Sequence, residues 1–142
     1  MAFRAGTTTF IALDGVNGAG TNVSRFADSF DWPQSVETQE VSAFGTAAKA
    51  FINGGLTDGD TVSISGPYDV AMFSLLTGVK AAQSAGSSTM TILWGPGGSV
   101  TGEARVTAEA WVTSVSLSSS VGGRVELSAS LQVTGAVTNN TW

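Results

Sequence analysis

The chain has 142 residues, a formal net charge of −5, 18 glycines and three prolines, and it contains neither cysteine nor histidine. Without those two residue types there is no disulfide, no thiolate or imidazole metal ligand, and no histidine-based catalysis. A content of 42% hydrophobic against 12% charged residues excludes a disordered chain, and the surplus of acid argues against sequence-independent binding to nucleic acid, which needs Lys and Arg against phosphate.

The opening segment, MAFRAGTTTFIALDG, lacks the apolar run of a signal peptide. No stretch approaches the ~20 apolar residues of a membrane span. The expectation is a soluble protein, made in a cytosol and without membrane anchoring. Thr8 to Leu13 reads as a strand closed by Asp14-Gly15, and Val23 to Phe30 as a looser one ended by Trp32-Pro33. Ser35 to Ser42 follows. Asp58-Gly59-Asp60 is a turn rather than a calcium loop, since the acidic ligands expected downstream are missing. Thr61 to Ser65 then alternates cleanly, with Val62 and Ile64 on one face.

Asp69 to Ser84 breaks this β pattern. Met72, Leu75, Leu76, Val79 and Ala82 fall on one helical face, Asp69 is placed to cap the first turn, and Gly86 to stop the helix. Strands resume at Ser88 to Trp94 and break at the Gly95-Pro96-Gly97-Gly98 loop. From Glu103 to Leu117, Ala104, Val106, Ala108, Ala110 and Val112 lie opposite Glu103, Arg105, Thr107, Glu109, Trp111 and Thr113. Gly122-Gly123 turns the chain into Arg124 to Thr134, where Val125, Leu127, Ala129, Leu131 and Val133 face inward. These two runs form a long antiparallel hairpin. The last residues, Val137 to Trp142, show no period.

The pattern is mainly β and antiparallel with one flanking helix, in a single domain over residues 1–142. No catalytic constellation emerges. Glu103 and Glu109 share a face, but six residues of strand place them roughly 20 Å apart, beyond the ~5–9.5 Å that paired glycosidase carboxylates need. Trp32, Trp94, Trp111 and Trp142 lie on separate segments, which suits structural or subunit contacts at least as well as a sugar-binding face. Lysine and proline, the usual guards of sheet edges, are scarce. That composition suits edges paired with sister subunits.

Two segments carry a resemblance. VETQEVSAFGTAAKAFINGGLTDGDTVSISGPY, from Val36 to Tyr68, and the closing GGRVELSASLQVTGAVT flank the lone helix and the GPGG loop. In this order they resemble the tail tube (major tail) proteins of long-tailed, non-contractile bacteriophages, over roughly residues 7–138. The resemblance implies a β-sandwich or barrel-like subunit with no cofactor, metal or enzymatic activity. It implies six subunits per ring and rings stacked into a hollow tube through which DNA leaves the particle. Its partners would be other copies of itself and the tail tip, terminator and tape-measure proteins.

DNA must pass such a lumen without sticking, and six copies at −5 would give about −30 per ring before counterions. Alternation offers Glu103, Glu109 and Glu126 as lumen-facing acids, with an outer solvated face as the other reading. The segment 43–59, with Phe44, Phe51, Ile52 and Leu56, is the expected arm towards a neighbouring subunit; packing on its own sheet is the alternative. The ends 1–7 and 137–142 are expected to be mobile until neighbours hold them. A capsid decoration protein, a tail terminator and, more remotely, a carbohydrate-binding module remain as alternatives.

Overall fold

The computed structural model describes residues 8–15, 20–45, 47–84 and 89–142, with the backbone alone at 55–58. The strands are β1 (Phe10–Asp14), β2 (Gly20–Asn22), β3 (Ser29–Asp31), β4 (Ser35–Glu40), β5 (Phe51–Asp58), β6 (Thr61–Pro67), β7 (Met90–Gly95), β8 (Ala104–Ser118) and β9 (Glu126–Thr141). The helix α1 (Val70–Ser84) lies between β6 and β7. Seven strands form one sheet in the order β2-β1-β7-β8-β9-β6-β3, and β4 pairs with β5 in a separate two-stranded sheet. Every pairing is antiparallel.

The large sheet curls. β3 stands four strands from β7, about 19 Å away in a flat sheet. Yet Phe30 of β3 meets Trp94 of β7 with ring centroids 5.1 Å apart, and Trp32 stacks on Trp94 at 6.3 Å. The barrel-like curvature encloses one apolar core. Ile11 and Leu13, Val62 and Ile64, Met90 and Ile92, and the alternate residues of β8 and β9 point into it. Met72, Leu76 and Val79 close it from the helix, which crosses the concave face.

The helix forms as its spacing requires, with Asp69 as the capping residue. One Asp69 carboxylate oxygen accepts from the backbone N–H of Ala71 at 2.9 Å and of Met72 at 3.3 Å. Gly86 lies outside the described residues, as do residues 1–7.

Three expectations are corrected. Val23 to Phe30 is not a strand. Val23 is buried, Ser24 to Phe26 make a single 3-10 turn, and the Ser24 hydroxyl accepts the Ile11 N–H at 2.8 Å, so the chain doubles back before β3 starts. Val137 to Thr141 is not a loose end but the last part of β9, paired with Ala104 to Thr107 of β8. Its period was hidden by a bulge at Gly135-Ala136, where Gly135 takes φ +77°. Trp142 packs edge-on against Phe10 with centroids 5.4 Å apart. The segment 43–59, finally, is not a loop throughout: its second half is β5, which pairs with β4 into a hairpin from Ser35 to Asp58.

Candidate functional site: a hydroxyl-coated face and a projecting hairpin

β8 and β9 pair along their whole length, from Ala104↔Thr141 to Ser118↔Glu126. Val106, Ala108, Ala110 and Val112 turn to the core with Leu127, Ala129, Leu131 and Val133, so the alternate residues form the opposite face. A bulge between Val112 and Ser114 inserts one residue into β8 and exchanges the faces beyond it. Ser114, Ser116 and Ser118 therefore continue the face begun by Thr107, Glu109 and Trp111. Thr113 sends its hydroxyl to the Ser130 carbonyl at 2.9 Å, and the Ser116 and Ser128 hydroxyls share a hydrogen bond at 2.7 Å.

The bulge is held from the other side by the helix. Gln83 donates its side-chain amide to the Val112 carbonyl at 3.0 Å and accepts the Val112 N–H at 2.6 Å. Among the described residues, β7 pairs with β8 as far as Met90↔Ala110. Gln83 satisfies both backbone groups of Val112 beyond that point.

The outward face is a field of serine and threonine with few charges, and each charge is engaged. Glu109 accepts hydrogen bonds from the hydroxyls of Thr89 and Thr91, both at 2.6 Å. Glu126 is ion-paired with Arg124, which also holds Asp28. The hydrogen bond to Glu126, then that to Asp28, raises the Arg124 pKa above its already high ordinary value, so this cation stays charged. Arg105 donates to the Asn140 side chain at 3.0 Å, and its guanidinium lies 5.4 Å from the Trp142 ring centre. Thr61 donates to Gln132 at 3.0 Å.

Of the three acids singled out by alternation, Glu109 and Glu126 share this face. Glu103 is set apart: it lies in the bend before β8, half-buried, and its backbone carbonyl accepts the Trp142 N–H at 3.1 Å. The partners of Glu109 and Glu126 were not singled out from the sequence. The signal for the threonine pair was there, since Thr89 and Thr91 alternate on the strand that faces Glu109.

The β4–β5 hairpin presents the opposite character. All six residues of β4 are exposed, and Val36, Val41, Phe44, Phe51 and Ile52 are exposed hydrophobics, Phe51 at 58% and Ile52 at 51%. Phe44 is fully exposed in the turn, beside Gly45 at φ +88°. The side chain of Leu56, the fourth arm candidate, lies outside the described residues. At its base the hairpin is fixed to the sheet: Trp32 donates its indole N–H to the Gly59 carbonyl at 3.2 Å, and Gln34 and Asn139 exchange amide hydrogen bonds.

This architecture is the fold of tail tube proteins. The chain is similar to the tail of an empty gene transfer agent particle refined with C6 symmetry, with a TM-score of 0.75 and 14% identity, covering 98% of this chain and 100% of that one. It is similar to the SPP1 tail tube, with a TM-score of 0.69 and 16% identity over 98% of this chain and 80% of that one. A third likeness is to a protein of the anti-feeding prophage baseplate, with a TM-score of 0.63 and 7% identity, covering 99% and 95%. No protein-family model and no curated protein matches the sequence.

Proposed function

We propose that this chain is the structural subunit of a phage-type tail tube: copies associate into rings, six to a ring, and the rings stack into a hollow conduit for DNA. The observation that carries the reading is the outward face of β8 and β9. It is polar, rich in hydroxyls and poor in cations, and its one arginine of the ladder is occupied by Asn140 and the Trp142 ring. Facing a lumen, such a wall offers a polyanion almost no fixed positive charge to bind.

The fold comparisons support this reading across nearly the whole length of the chain. The exposed β4–β5 hairpin supports it as well, as the arm that reaches a neighbouring subunit. On this reading the protein is made in the host cytoplasm, has no catalytic role, and meets tip, terminator and tape-measure proteins at the ends and along the axis of the tail.

Negative-stain electron microscopy of the purified, concentrated protein, with and without tail tips as nuclei, tests the proposal. Stacked rings or hollow tubes are expected. Particles that stay single in both conditions would instead favour a decoration or terminator protein. In assembled particles, Glu109→Lys and Glu126→Lys are expected to leave tubes intact and slow DNA exit. Unchanged infectivity would place this face on the outside of the tube.

A further inference from the structure

The curled sheet leaves a seam. β1 and β3 approach each other without pairing, and between them lies a cleft of about 720 Å³ whose lining includes Thr9, Ile11, Arg25, Ser29, Phe30 and Trp94. Two groups at this cleft are chemically incomplete. Among the described residues the buried Trp94 indole N–H has no hydrogen-bond acceptor, whereas the neighbouring Trp32 has one in Gly59. Arg25 stacks 4.7 Å from the Phe26 ring centre and is offered no carboxylate by the described residues; nearby Asp28 is already taken by Arg124.

The β4–β5 hairpin is the complement of this cleft. It offers aromatic and aliphatic side chains where the cleft has Phe30, Ile11 and Trp94. Between Ser35 and Asp58 the sequence holds Glu37, Glu40 and Asp58 against the single cation Lys49. Glu40 is tied to Lys49 only by an exposed contact at 3.9 Å, which is worth little and is readily exchanged.

In one molecule both surfaces stand empty, with Phe44 fully exposed. An apolar projection at one place and a cleft at another make a heterologous, head-to-tail contact that can repeat from copy to copy around a ring or along a stack. We infer that the β1–β3 cleft is the socket for the tip of the β4–β5 hairpin of a second copy, with Phe44 seated against Phe30 and Trp94 and Glu40 passed from Lys49 to Arg25. This rests on the tube reading and specifies the contact that joins the copies.

The absence of cysteine gives a clean test. In tubes of a Ser29→Cys/Ala43→Cys variant, which keeps Phe44, oxidation or a short bismaleimide should give a ladder of covalent multimers on denaturing gels, while each single variant gives none beyond dimer. As a second measurement, Arg25→Glu should raise the protein concentration needed for tubes by about tenfold or more, and adding Glu40→Arg should restore it, with the melting temperature unchanged throughout. Wild-type tubes without a ladder in the double variant, or a charge exchange that restores nothing, would overturn the socket and leave the tube reading standing. A wild-type protein that forms no tubes even on tail tips would overturn both.

Discussion

The β8–β9 ribbon and the β4–β5 hairpin are both antiparallel pairs joined by a turn, and they exist for different reasons. The ribbon has one face in the core, where Ala110 and Leu131 are fully buried, and one face in water. Its stability comes from what lies beneath it. The hairpin is exposed along the whole of β4 and has five exposed hydrophobics among its described residues. A two-stranded hairpin standing alone is marginal in water, so this one depends on its anchorage at Trp32, Gln34 and Gly59. On the proposed tube, the same backbone pairing would serve folding in one region and association in the other.

Substitutions separate the two roles. Leu131→Ala removes a fully buried side chain from the middle of β9 and is expected to cost about 2–5 kcal/mol, read as a lower denaturant midpoint. A loss below about 1 kcal/mol would mean that the ribbon is not the centre of stability. Gln83→Ala strands the N–H and carbonyl of Val112 at the bulge; a loss of about 1–3 kcal/mol is expected, with faster amide exchange at Val112 as its local signature. Asp69→Ala removes the helix cap and should cost about 1 kcal/mol, with Asp69→Asn recovering most of it. Phe44→Ala, out on the hairpin, should leave the midpoint within about 0.5 kcal/mol of wild type and still suppress tube formation in electron micrographs. A Phe44 variant that melted early would remove the distinction between the two regions.

The same contrast explains what the sequence could show. Periodicity reports one-sided burial, so β8, the first half of β9 and α1 were legible to within a few residues. β4 was read at Ser35 to Ser42, but β5 was not, because its described side chains, exposed or half-buried in a row, carry no alternation for burial to impose. Residues 43–59 accordingly read as an irregular arm, though half of them are a strand. Bulges hid the rest. The pair Thr113-Ser114 between Val112 and Val115 marks a change of face, and Gly135-Ala136 resets β9 so that Val137 to Thr141 looks aperiodic. At the candidate site, alternation found Glu109 and Glu126 but not Asp28 or the threonines, whose contacts bridge strands and loops distant in sequence, whereas Arg124 stands only two residues from its partner Glu126. Glu103 shared the parity of Glu109 without sharing its strand.

The hydroxyl clamp on Glu109 has a consequence for motion. A polymer dragged along a wall is slowed by the corrugation of its binding energy, the difference between the stickiest and least sticky points along the way. Short neutral side chains repeated every second residue keep that ripple shallow, and a carboxylate already occupied by two hydroxyls is less able to bind a bridging cation that would pin a phosphate. In the proposed tube, a surface built in this way would act as a bearing, with low friction coming from the evenness of the wall as much as from the sign of its charge.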